Sequence, residues 1–600
     1  MSVDRWRTKT AGVAAAVLAL TACSGGDDAG PAPTTAETAG TTATTDGTTA
    51  TTTSDVPTTT SRPTTAPTTA PAPTTTQAPR SPDPIIEQRI VVSGPEEVVF
   101  DWTTDQCEPE HIPDIAARAY RDAAGEVHLT IGHWNTYSMV GPNLNELTSD
   151  CGTVQMSSDF DPDPAQFNDS EWMGAPFTFD GETIYAVVHN EYRGDTHTGA
   201  RPGQCPSGQR LPCLDTSFTM AVSTDGGDSF TDIAPPPNHL IASLPYEYID
   251  DSVPSGIRQP SNIIEGPDGF FYLFGNVSDQ PAERQWVCAM RTDDLADPSS
   301  WRFWDGDEFA GVWKNPYLEP VDPDDDKCEP LAFPQLSGGI NESIVFDEAL
   351  GQYVMVGASA SPGAGGTDWG FYYSTSPDLV TWSTRQLLID LPINPSVGDP
   401  DNDTVHAYPA IIDPDSPSLN FSTSDGQMYF YVSRFNFGGN SLDRDLLRFP
   451  VEVQDVEITA PDWTFDTGDD FEGWIPEFDI ADPVVADGSL TFRSSGGDPI
   501  FLSPALNLPA EFSTLRIRLR AEPGPEDVAA ELFFVTDDDA DYDGRKLLIF
   551  DLVDDGEFHD YVLDLSTMPD WNGKIVRLRF DPITLEGRTV DIDRIWFTDS

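Results

Sequence analysis

The chain reads as all-β: a five-bladed β-propeller followed by a β-sandwich. Three observations predict this. Between about residues 90 and 455, a polar head followed by an apolar hairpin is written five times, the second run of each hairpin being rich in Val, Ile, Tyr and Phe. From about Ala460 the repeat stops, and runs of period-two alternation are broken by Gly, Asp and Pro. A chain of 600 residues is also longer than one core covers, so two or more domains are expected.

In chain order, the first element is a leader. Arg5, Arg7 and Lys9 precede "AGVAAAVLAL", an apolar stretch too short to span a bilayer, and "LTAC" follows at Leu20–Cys23. Residues 1–22 thus read as a signal peptide. The tetrapeptide resembles a bacterial lipobox, and that resemblance implies that Cys23 becomes a lipidated N-terminus on the extracellular face of the cell membrane. The lipid on Cys23 would be the only membrane contact. Residues 23–85 are Thr, Pro, Ala and Ser with almost no large apolar side chain, so they cannot offset their own ordering entropy and read as a disordered tether.

Removing Cys23 leaves six cysteines in an exported chain: Cys107, Cys151, Cys205, Cys213, Cys288 and Cys328. Disulfides are expected. Their order suggests 107 with 151, 205 with 213 and 288 with 328, although the sequence does not choose among the pairings six cysteines allow. With 100 acidic against 32 basic residues, the net charge of -68 repels a phosphate backbone, which excludes nucleic acid as a partner. A monomer is expected.

The repeats occupy residues 90–455. Typical members are "DSEWMGAPFTFDGETIYAVVHNEY" and "GGINESIVFDEALGQYVMVGASAS", each continuing into a third run. Such a unit cannot cover both its faces alone, and stacking five in a ring solves the problem. "RIVVSGPEEVVFDW", ahead of the first repeat, would supply the outer strand of the last blade and close the ring. "IAARAYRDAAGEV" has helix propensity, but it occupies the repeat's hairpin position and is read as strands.

In a propeller the first strand of each blade lines a central funnel, so the heads should meet there. They bring Asp114 and Arg118, Asp169, Glu171 and Trp172, Arg258 and Gln259, Asn341 and Glu342, and His406 and Tyr408. The second strand of the second repeat ends in "HNEY", adding His189, Glu191 and Tyr192. Carboxylates converging beside Arg, His and aromatic side chains suit glycoside cleavage. One carboxylic acid protonates the leaving oxygen while a carboxylate activates water or attacks.

These heads resemble those of five-bladed propeller glycosidases of the arabinanase and xylosidase type. By that resemblance Asp114 is the general base, Asp169 or Glu171 tunes the acid, and the acid itself should open the third innermost strand. Here that head reads "IRQPSN", with Gln259 in the place of the acid, so the acid is expected at Glu191 or Glu342. Arg118, Arg258, Trp172, His189, Tyr192, Gln259, Asn341, His406 and Tyr408 are the expected substrate contacts. "STDGGDSF", Ser223–Phe230, matches the Asp-box of sialidase-like propellers, a turn device rather than a catalytic one.

Residues 460–600 resemble galactose-binding-like jelly rolls, many of which are carbohydrate-binding modules. The resemblance implies a structural calcium between "FDTGDDFEGW" and Asp593 in the last strand. No cofactor is expected for catalysis. The activity this favours is hydrolysis of a glycosidic bond in an extracellular polysaccharide by a surface lipoprotein. Its alternatives are a non-catalytic glycan-binding lipoprotein and a sialidase-like exo-glycosidase.

Overall fold

The computed structural model describes residues 85–598, apart from 198–204, 249–253, 280–283, 332–339, 364–365, 384, 394–403, 437–441, 505, 526–527, 537–538 and 540–541. Cys23, the leader and nearly all of the Thr/Pro-rich segment lie outside the described residues. What is described is nearly all β, with one four-residue α-helix at Trp102–Asp105 and a few 3-10 turns. No described helix is long and apolar enough to cross a membrane.

Each repeat becomes an antiparallel sheet. In the first, Arg118–Arg121 pairs with Val127–Ile131, and that strand pairs with Asn135–Gly141. The helix-prone segment is therefore a hairpin, because Ala119, Val127, Leu129 and Ile131 are all buried against neighbouring sheets. Burial outweighs a propensity difference of about 0.5 kcal/mol per residue. In the second repeat Ser170–Thr178, Ile184–Arg193 and Leu214–Ser223 follow the same order.

The second and third sheets are joined by a short parallel pairing, Asp215 opposite Ser255 and Thr216 opposite Gly256. This contact requires glycine. Gly256 has φ +111°, and a Cβ there would lie 2.1 Å from the Thr216 carbonyl oxygen.

The apolar clusters link consecutive repeats in cyclic order. Tyr120 shares a cluster with Met173 and Val188; Phe218 with Leu273 and Met290; Phe274 with Met355 and Tyr372; Phe371 with Phe430 and Leu447; and Tyr431 and Leu446 with Leu129 and Ile131 of the first. The last repeat is completed from the front of the chain. Ile86–Val92 pairs antiparallel with Arg444–Glu457 from Ile86 opposite Glu457 to Val92 opposite Val451.

The Ser223–Phe230 motif closes a tight turn. Asp225 accepts from Ser229 N and Oγ, Gly227 N donates to Ser223 Oγ, and Phe230 is buried. The same device recurs at Ser376–Trp382. There Asp378 accepts from Val380 N and Thr381 N, and Leu379 N donates to Ser376 Oγ.

The disulfides are Cys107–Cys151, Cys205–Cys213 and Cys288–Cys328, the pairing that sequence order suggests. The last ties a core strand of the third repeat to a distant loop, at a sequence separation of 40. Replacing both of its cysteines by alanine should cost about 4 kcal/mol of unfolding free energy through the freed chain entropy. Urea denaturation of the oxidised double variant measures this, and an unchanged midpoint would contradict it.

Beyond Ala460, two six-stranded antiparallel sheets share one core. Leu490, Phe492, Leu515, Ile517 and Ile592 of one pack with Phe501, Leu532, Phe534, Leu578 and Phe580 of the other. Trp474 and Trp571 belong to this core, and Trp596 lies under Arg594, 4.8 Å from its guanidinium. Two of the carboxylates at the expected calcium position have partners within the chain. Asp593 is spent on Arg518 at 3.1 Å, and Glu472 accepts from Thr464 N and Phe465 N. Among the described residues no group of three or more His, Cys, Asp or Glu side chains is placed to hold a metal ion.

Candidate active site

One cavity of about 370 Å³, counted to its open mouth, collects residues from four of the repeats. Its walls are Asp114, Ile115, Trp172, His189, Glu191, Arg210, Arg258, Gln259 and Tyr408. Seven of these nine were expected, five from the heads and His189 and Glu191 from the second strand of the second repeat.

Asp114 leads into the first innermost strand and is held from several sides. Tyr408 Oη and the Arg444 guanidinium donate to its Oδ1, and Trp172 Nε1 donates to its Oδ2 at 3.2 Å. His133 Nε2 stands 3.7 Å away; burial drives its pKa down to about 4, so it is a neutral neighbour at pH 7. Arg444, 1% exposed and packed over Phe435, joins Asp114 across 330 residues of sequence.

Glu191 is the second carboxylate in the cavity. Burial alone would raise its pKa, but His189 Nε2 at 3.3 Å, Arg210 at 3.3 Å and the charge of Arg193 overcome that and hold it at about 2. A carboxyl so strongly ionised is a charge stabiliser or nucleophile, not a proton donor. Of the two positions expected for the acid, these partners favour Glu342 over Glu191.

Strand alternation explains which head residues miss the cavity. Trp172 lies opposite His189, and Ser170 opposite Glu191, so the in-facing positions of the second head are 170 and 172. Asp169 and Glu171 therefore face the other way. Asp169 Oδ2 accepts from Arg193 N and lies 3.0 Å from His197 Nε2, while Glu171 Oε2 accepts from Asp159 N. Neither carboxylate lines the cavity, so neither is placed to tune an acid there. Burial nonetheless raises Glu171 to about 8.

Arg258 and Gln259, although adjacent, both line the cavity because Gln259 takes φ +52° and breaks the alternation. Tyr408 does the same at φ +59°, beside an irregularity between Ala407 and Ala410. Left-handed conformations at non-glycine residues are strained and must be held by their surroundings. Around Gln259, Asn341 Nδ2 donates to its carbonyl at 2.6 Å, and Gln259 Nε2 donates to Glu342 Oε1 at 3.2 Å.

Glu342 thus stands directly behind a wall residue. Burial raises its pKa to about 8, against the lowering effects of the Ala358 N–H bond and the Arg118 charge, so it is protonated at neutral pH.

Four other expected contacts are occupied elsewhere. Arg118 donates to the carbonyls of Ala117, Pro260 and Glu342, tying neighbouring innermost strands rather than facing the cavity. Asn341 is fully buried on the Gln259 backbone. His406 Nδ1 lies 3.2 Å from the Pro392 carbonyl. Tyr192 donates to the Pro162 carbonyl and packs on His197 and Tyr248.

Ile115, Arg210 and Arg444 were not anticipated. Arg210 sits inside the short disulfide loop "CPSGQRLPC", and an arginine pinned between cysteines is the signal that could have found it. Arg444 opens the long final strand, where a charged residue heading the apolar run "DLLRF" was the hint.

No family model matches the chain, and no curated protein matches it. Solved structures similar in part include an α-L-arabinanase from Cellvibrio cellulosa complexed with arabinohexaose, at 10% identity and a TM-score of 0.31, covering 56% of this chain and 96% of that one. A family 117 glycoside hydrolase from Zobellia galactanivorans aligns at 9% identity and a TM-score of 0.35, covering 61% and 90%. A family 32 β-fructofuranosidase from Bombyx mori aligns at 11% identity and 0.31, covering 84% and 94%. Likeness at this level carries no argument about the site, which rests on the geometry above.

Proposed function

We propose that residues 90–455 form a five-bladed propeller whose cavity hydrolyses a glycosidic bond, and that residues 460–600 form a sandwich of jelly-roll type that holds or spaces the substrate. The cyclic order of the shared apolar clusters supports the first assignment, and the single core between two sheets supports the second. The observation that carries the function is the meeting of two carboxylates, Asp114 and Glu191, with Trp172 and Arg258 in one concave site.

In this reading Asp114, fixed by Tyr408, Trp172 and Arg444, is the base that orients water. Glu191 offers a permanent negative charge to a developing oxocarbenium ion. Glu342 is the acid, because it is the carboxyl directly behind the cavity wall, bonded to Gln259, that burial keeps protonated at pH 7. Gln259 must swing off Glu342 when substrate enters. Hydrolysis should fall above about pH 8 as Glu342 loses its proton, and Glu342→Gln should lower kcat by about 10² to 10⁴-fold. Sugar release from bacterial and plant polysaccharides measures both, and full turnover by Glu342→Gln would refute the acid assignment.

The second reading is capture without cleavage, favoured by the position of Gln259 between Glu342 and the open cavity. Binding of an oligosaccharide with no released sugar over the same screen would select it. In either case the leader and "LTAC" support a protein anchored through Cys23 on the outer face of a bacterial membrane, which metabolic labelling with a fatty-acid analogue would test against Cys23→Ala.

A further inference from the structure

The charges around the cavity do not cancel. Asp114 is matched by Arg444, and Glu191 by Arg210 at 3.3 Å with His189 beside it. Arg258 is left over. It is 7% exposed, it lines the cavity, and among the described residues its guanidinium makes no hydrogen bond and no ion pair. Glu191 reaches it only through its field. A guanidinium taken out of water without a partner is costly, several kcal/mol in ordinary proteins. Gln259, held in its left-handed conformation from behind, keeps the strand end carrying Arg258 turned toward the cavity.

We propose that the cavity takes an anionic sugar, a residue bearing a carboxylate or an equivalent oxyanion, and that Arg258 is the side chain that receives it. This rests on the reading that the cavity holds a glycan. The planar guanidinium offers paired donors that match a carboxylate face, a geometry that sugar hydroxyls do not supply. Long-range attraction cannot do this work, since the chain as a whole carries -68 and repels anions. Recognition of the charge must be local. Although burial depresses the Arg258 pKa to about 10, it remains a cation at neutral pH.

The test uses the full chain and matched oligosaccharides: uronic-acid oligosaccharides, their carboxyl-reduced twins, and sulfated galactan oligosaccharides, compared by calorimetry. The acid-bearing member should bind at least about tenfold tighter than its reduced twin, a difference of about 1.4 kcal/mol. Arg258→Gln should erase that preference, and Arg258→Lys should keep part of it. Preference for the uronide or for the sulfated set identifies which oxyanion is recognised. The thermal midpoint of Arg258→Gln should be no lower than that of the parent, because an unpaired buried charge has been removed; a purely structural arginine would lower it.

Equal binding of acid and reduced twins by the unmodified protein overturns the inference without needing any variant. If neutral glycans are cleaved and Asp114→Asn abolishes that cleavage, hydrolysis stands while the anionic assignment fails. If no member of any set binds, both readings fail.

Discussion

Asp114→Asn should cost the protein about 3–5 kcal/mol of folding stability as well as its activity. Arg444 is almost wholly buried, and its guanidinium donates to the Asp114 carboxylate. Asparagine keeps the shape but removes the charge and turns one acceptor oxygen into a donor. Trp172 Nε1 or Tyr408 Oη would then meet a donor rather than an acceptor. Adding Arg444→Met should restore much of the stability, because it removes the buried charge that has lost the Asp114 carboxylate. Activity should not return with it, remaining about 10² to 10⁴-fold below the parent if Asp114 orients the water. Urea unfolding and sugar release on the single and double variants separate the two effects, and an unchanged urea midpoint in Asp114→Asn would disprove the dependence of Arg444 on this carboxylate.

Glu171 and Glu342 should make the fold less stable as pH rises. Each has an ordinary value of 4.5 and is raised by burial to about 8. Between those values the folded state holds protons that the unfolded chain has released. The stabilising contribution is therefore complete below about pH 4.5 and is lost as pH rises through about 8. Each carboxyl contributes a slope of about 1.4 kcal/mol per pH unit in that window. Asp215 and Asp581, raised by burial to about 7, act in the same direction. Glu191 acts in the opposite sense, its contribution being lost only as pH falls toward about 2. Growing repulsion among the many surface carboxylates also weakens the fold as pH rises, so the parent slope alone does not identify the source. The double variant Glu171→Gln with Glu342→Gln does, since neutral amides cannot titrate. Its denaturation midpoints between pH 5 and 8.5 should vary less steeply, and a slope equal to the parent's would show that these two carboxyls are not the origin.

Much of the sheet architecture could be read in advance because a two-residue period and a turn are local signals. The pairing of Ile86–Val92 with Arg444–Glu457 was legible for the same reason, as a β-branched run standing outside the repeats. The cavity was harder, since strand parity decides which of two adjacent head residues faces inward. At the second head the tryptophan faces the cavity and the carboxylates do not, whereas at Arg258 and Gln259 a left-handed residue puts both on the same wall. Neither the offset nor the break is visible in residue types. The Arg444 partnership with Asp114 depends on closure of the whole domain, and no local pattern spans that distance.

The seam at Ile86–Val92 also sets how the molecule answers to tension. The chain enters this strand at Ile86, opposite Glu457, where it leaves for the C-terminal sheets, and Ile458 N donates to the Ile85 carbonyl at 2.8 Å. A pull between those two flanks opens the register one residue pair at a time, as in peeling tape, instead of loading all seven residue pairs together in shear. Ile85 also packs against the C-terminal core, and Lys574 pairs with Glu87, so that domain clasps the point where peeling must begin.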